Sequence, residues 1–204
     1  MRKGRAGHLL LSLFGLGAWL LRYGLAAAPA WAHFREVGEG GWGDGFAHPF
    51  SGLDHVLCMV AVGIWAVQIG RHALWLLPAS FALLMAGGAL LGGAGIVLPG
   101  ADDVVALSVA MLGVLLAVAS RPRLLIAVAA VAGFGLAHGY VHGVEMPATA
   151  QPSLYAGGFI CATVVLQLTG LALGLIAQSP RGQRLLPIGA AAIAGLGVTL
   201  MLAL

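Results

Sequence analysis

The chain has 204 residues, of which 60% are hydrophobic and 8% charged, with a mean hydropathy of +0.99; soluble domains carry roughly 25% charged residues. A spanning helix takes about 20 mostly apolar residues, so this length accommodates several spans joined by short loops and excludes a separate soluble domain. The formal charge of +3 comes from the first segment, because Arg2, Lys3, Arg5 and Arg22 all precede Trp31 and the later basic residues are matched by acids; a nucleic-acid partner is therefore not expected.

Residues 1–32 open with Arg2, Lys3 and Arg5, continue with an apolar stretch from Leu9 to Leu21, and end in Ala28-Pro29-Ala30-Trp31-Ala32. That order of basic region, apolar region and small-residue site is a secretory signal, with cleavage predicted before His33. Arg22 interrupts the apolar stretch, and an uncleaved additional helix is the competing reading.

Apolar runs then fall near 51–70, 73–98, 103–120, 123–146, 153–178 and 185–204, separated by charged, Pro or Gly turns. They predict an all-α polytopic membrane bundle, with residues 33–204 forming one domain of six transmembrane helices. With His33 outside, the inner loops hold Arg71, Arg121, Arg123, Arg181 and Arg184, whereas the outer side holds only Arg35. The acids, from Glu36 and Asp54 to Asp102, Asp103 and Glu145, all fall at the outer side. Both distributions agree on an N-terminus outside.

Gly88 and Gly92, Gly139 and Gly143, and Gly170 and Gly174 are spaced for close helix packing in a bilayer. No fixed-period repeat is visible, and an inverted repeat between halves is too weak to see at this level. Trp65, Trp75, Tyr140 and Tyr155 lie near span ends, where an interfacial belt is expected. Cys58 and Cys161 sit in apolar runs and do not suggest a disulfide framework.

The first span opens with His48-Pro49-Phe50-Ser51-Gly52-Leu53-Asp54-His55, followed by Cys58 and Met59. An Asp within a span costs about 2.5–3.5 kcal/mol on insertion scales, so it seldom occurs without a partner or a pathway. His55 and Met59 are four apart and share a helical face. The fourth span closes with His138-Gly139-Tyr140-Val141-His142-Gly143-Val144-Glu145, which stacks two imidazoles and a carboxylate on one face at the same outer depth. Singly, each residue has a bland explanation as an interfacial group or as a helix cap, the role expected of Asp102 and Asp103 before the third span. Jointly, His48, Asp54, His55, His138, His142 and Glu145 suit a borderline divalent ion such as nickel, cobalt or zinc. Met59 and Cys58 are weaker candidates beside them, as is His33, whose imidazole and new terminal amine can chelate together.

The segments His48-x5-Asp54-His55 and His138-Gly139-x2-His142-Gly143-x-Glu145 resemble the two signature motifs of the HupE/UreJ family of nickel and cobalt permeases. The resemblance covers essentially the whole chain after the signal. It implies uptake of Ni2+ or Co2+ across a bacterial cytoplasmic membrane, without a prosthetic group, and a link to hydrogenase or urease maturation. It carries the site to His48, Asp54, His55, His138, His142 and Glu145. Two competing readings remain: an intramembrane zinc hydrolase, in which three histidines and a carboxylate activate water, and a metal-binding accessory or sensor protein. Ser80, Ser108, Thr163, Gln167 and Thr169 are candidates to line an inward route. Lys3 is the only lysine, so the chain has no Walker loop to supply energy.

Overall fold

The computed structural model describes residues 40–204; the expected signal and His33 lie outside the described residues. A short helix α1 (Trp42–Ala47) leads through a 3-10 turn (His48–Phe50) into α2 (Leu53–Ile69). Five further helices follow: α3 (Ala73–Gly93), α4 (Ala101–Ala117), α5 (Leu124–Glu145), α6 (Pro152–Ile176) and α7 (Pro180–Met201). No strand occurs among the described residues. The six long helices coincide with the six expected apolar runs, within a few residues at their ends.

Helices α3, α5, α6 and α7 are long and apolar enough to cross a membrane. The α1 and α2 segments meet the same description only together, across a bend of 83°. The 17 residues of α4 rise about 26 Å at 1.5 Å each, the lower edge of what spans a hydrocarbon core.

Glycine decides which helices touch. A Cβ on Gly135, Gly139 or Gly143 of α5 would collide with the carbonyl oxygens of Phe81, Met85 and Ala89 on α3, and Gly88 and Gly92 of α3 meet the α5 carbonyls of Leu136 and Tyr140. Side-chain-free faces let backbones approach where lipid provides no hydrophobic drive between helices. Gly63 and Gly170 bring α2 against α6 in the same way, and Gly113 and Gly197 bring α4 against α7. The expected packing role of the paired glycines thus holds in both α3–α5 and α2–α6. The residue order of these contacts makes α3 parallel to α5 and α2 parallel to α6, with α4 antiparallel to α7.

Two expectations change. Trp65 is not an interfacial residue: it is 1% exposed, and its indole N–H donates to the Ser120 carbonyl at 2.9 Å, which joins α2 to the turn after α4. Tyr155 is likewise buried, whereas Trp75 is exposed as expected. Asp102 and Asp103 do not cap α4; Gly100, in the left-handed region at φ 76°, holds the cap position, and the two acids occupy the first turn, where a carboxylate favours the helix dipole.

Candidate metal centre

The α1 segment is fastened to the start of α6 by two glycines, since a Cβ on Gly45 would strike the Tyr155 carbonyl and one on Gly158 the Trp42 carbonyl. Asp44 steadies its first turn by accepting from the Gly40 N–H at 2.7 Å. The chain then turns at His48-Pro49. His48 is thereby held over the bundle, its ring 4.7 Å from that of His142 and 5.8 Å from that of Tyr155. Its Nε2 lies 3.1 Å from Glu145 Oε2.

Asp54 and His55 form a unit in the first turn of α2. Asp54 Oδ1 accepts both the His55 backbone N–H at 2.9 Å and the ring Nδ1–H at 2.7 Å. This places Asp54 behind His55, with that oxygen committed to orienting the imidazole. The pair leans over Gly52, where a Cβ would sit 2.6 Å from Asp54 Oδ1 and 2.7 Å from His55 Nδ1. On α5, His138 donates from Nδ1 to the Phe134 carbonyl at 2.9 Å. In both rings the hydrogen bond at Nδ1 fixes the tautomer, leaving Nε2 as a lone pair, which is how partners outside a metal's own shell orient its histidines.

The two motifs meet. The His55 ring centroid lies 4.2 Å from that of His142 and 5.1 Å from that of His138. His55 Nε2, His138 Nε2 and both nitrogens of His142 are buried without a hydrogen-bond partner. Buried polar atoms are ordinarily paired, so these four nitrogens leave three ligand-ready lone pairs, one on each neutral imidazole, with that of His142 on whichever nitrogen lacks the proton. Towards the outer end, His48, His142 and Glu145 each offer one ligand atom, all within 4.8 Å of one another.

The structure therefore brings His48, His55, His138, His142 and Glu145 together, with Asp54 attached through His55. Cys58 turns to α4, where the Ser108 hydroxyl donates to its sulfur at 3.4 Å, and Met59 is fully buried in the apolar core. Phe159, 4.2 Å from the His142 ring, and Phe81, 5.6 Å from the His138 ring, wall the cluster. Tyr155 and Phe159, with the buried Tyr155 hydroxyl unpartnered, are site residues that sequence reasoning did not find; their four-residue spacing at the start of α6 was the available signal.

Of the five candidate route residues, Ser108, Thr163 and Gln167 are buried, whereas Thr169 is exposed and bonds only the carbonyl of Val165 on its own helix. Thr163 donates to the Phe159 carbonyl at 3.0 Å and faces Met85 Sδ at 3.5 Å. Successive turns of α6 thus carry Phe159, Thr163 and Gln167 away from the histidines. At the opposite end of the bundle lies a cavity of about 600 Å³, lined among others by Gln68, Arg121, Gln178 and Gln183.

The family profile described as HupE / UreJ protein matches residues 20–200, which is most of the chain and includes every residue of the cluster. The chain belongs to the HupE/UreJ family. That family is one of metal transporters and not of enzymes. A similar protein is Protein HupE of Rhizobium leguminosarum bv. viciae, 42% identical over 157 residues, covering 77% of this chain and 82% of the relative. No solved structure matches the chain. In this HupE/UreJ chain, Asp54, Glu145 and the histidine cluster lie at one end of the bundle, and Arg71, Arg121, Arg123, Arg181 and Arg184 lie by the helix ends opposite.

Proposed function

We propose that this protein is a permease that takes up Ni2+, and also Co2+, through six spans with the N-terminus outside the bacterial cytoplasmic membrane; Zn2+ is compatible with the same donors. The observation that carries this reading is the convergence of partnerless imidazole nitrogens from both motifs beneath the half-exposed His48–Glu145 pair. The acids at this end draw in a cation. His48, Glu145 and one nitrogen of His142 form a first station near water. His55, His138 and His142 form a second, deeper one, with Asp54 holding His55 in its ligating tautomer. His142 belongs to both, because neither of its nitrogens is otherwise engaged. An ion then moves inward around one imidazole, whose single lone pair serves the deeper station once its N–H proton has passed to the other nitrogen, while the remaining ligands keep the ion partly coordinated. The polar turns of α6 support continuation inward to the arginine-bearing face.

Nickel uptake into proteoliposomes tests this. Asp54→Ala and His142→Ala should each lower initial uptake at low external nickel by at least about tenfold, a loss of about 1.4 kcal/mol in ion capture. Wild-type rates in both variants would refute the assignment. Removal of residues 1–32 would leave His33 as a terminal chelator through its imidazole and new amine; the mass of the purified protein decides whether this end exists. Supply of the ion to hydrogenase or urease maturation is the use that this reading implies.

A further inference from the structure

The three close helix pairs obey a correspondence between the two halves of the bundle. Where Gly139 of α5 meets the Met85 carbonyl of α3, Gly63 of α2 meets the Gln167 carbonyl of α6. Where Gly88 meets the Leu136 carbonyl, Gly170 meets the Val60 carbonyl. Where Gly92 meets Tyr140, Gly174 meets Ile64. All three statements hold with one fixed offset between α2 and α5 and one between α3 and α6. The remaining pair is its own mate: Gly113 of α4 lies on Ala194 of α7, and Gly197 of α7 lies on Ala110 of α4.

The same offsets recover sequence likeness too weak to see unaided. Ala110, Leu112, Gly113, Val114 and Leu116 recur as Ala194, Leu196, Gly197, Val198 and Leu200. Leu84, Gly88, Leu91 and Gly92 recur as Leu166, Gly170, Leu173 and Gly174, and Ala61 and Gly63 as Ala137 and Gly139. The α2 helix starts at the histidine end, whereas α5 finishes there, so corresponding helices run in opposite directions.

We propose that α2–α4 and α5–α7 are inverted repeats, and that exchanging their two packings gives a second arrangement in which the histidine site faces the arginine-bearing end. Its transport meaning rests on the permease reading above. Inverted repeats related in this way supply two mirror arrangements of one scaffold around a central site. The ligands occur in one copy only: the mates of His55, His138 and His142 are Val131, Val62 and Ala66, each 0% exposed. In the exchanged arrangement these mates take the places that His55, His138 and His142 hold now, which are 7%, 0% and 2% exposed, so Val131 comes to the inner access, next to the cavity already present between α2, α4, α6 and α7, while Val62 stays sealed.

The test uses Val131→Cys, with Val62→Cys as a control that stays buried in both arrangements, both near-isosteric, in full-length protein in oriented vesicles. A membrane-impermeant maleimide is applied to one face at a time, with wild type giving the background from Cys58 and Cys161. A minor arrangement holding a few per cent of the population exposes a buried thiol for that share of the time, so labelling from the arginine-bearing face alone is expected at least about tenfold above background. Background labelling of Val131→Cys in vesicles that accumulate nickel would overturn the repeat exchange and leave the permease reading intact. Equal labelling from both faces would overturn it too, since a continuous pore needs no exchange. Inner-face labelling without nickel uptake would uphold the exchange and remove the permease reading.

Discussion

Asp54 illustrates how one carboxylate acts through another residue. Both of its recorded bonds go to His55, one to the backbone and one to the ring, so its contribution to an ion is the angle and basicity of that imidazole. Partners of this kind are worth roughly 10–100-fold in metal affinity. Asp54→Asn keeps an acceptor for the ring N–H and removes the charge, so titration calorimetry with nickel should find a loss in that range, smaller than that of Asp54→Ala. Equal losses in the two variants would argue that Asp54 itself ligates. The sign of the pH effect follows from the donors. A proton and a metal ion compete for the same imidazole lone pair, so binding is strongest with the rings neutral and weakens on acidification. Initial nickel uptake should therefore fall, by up to about tenfold per pH unit for each proton displaced, once the medium is acidic enough to protonate the rings, and uptake that rose on acidification would contradict imidazole capture.

At the scale of elements, the end of α4 offers a separate test. Ala119 takes a left-handed conformation at φ 48°, where the N–H groups of Ala119 and Ser120 close the helix on Leu116 and Leu115. Glycine does this after α3, at Gly95 with φ 72°. The left-handed region costs an L-residue roughly 1–2 kcal/mol, so Ala119→Gly should stabilise the protein by about 1 kcal/mol and raise its thermal midpoint in detergent by about 2–4 °C. The six helices themselves were legible in the sequence because apolar runs broken by Arg, Pro and Gly leave few other readings. Trp65 was not legible: a Trp near a span end suits an interface equally well until the Ser120 carbonyl is seen to satisfy its N–H. The 83° bend between α1 and α2 was hidden for a similar reason. His48-Pro49 reads locally as a turn, and only the glycine contacts with α6 show where that turn points.

For the whole molecule, the proposed topology of six spans with the N-terminus outside puts the end of α7 on the outer side. A phosphatase fused after Leu204 should therefore be active outside the cell, and a cytoplasm-dependent fluorescent reporter at the same position dark; the reverse pattern would remove the six-span topology. The candidate centre was legible as two groups at equal depth, because His138 and His142 share a helical face and Asp54-His55 opens a span. The division of labour within it was not, since spacing does not reveal that both His142 nitrogens are bare while those of its neighbours are half used. The half-likeness of α2–α4 and α5–α7 stayed hidden because only small residues at helix contacts preserve it.

The two carboxylates attached to the cluster, Asp54 through His55 and Glu145 through His48, also set its electrical balance. Neutral rings plus two negative groups cancel one dication, so the filled centre carries no net charge and meets little Born penalty on leaving water. Emptied, it keeps two uncompensated negatives, which anchor it to the hydrated face. On the permease reading, the bundle resets once protons replace the departed ion on the same carboxylates and imidazoles.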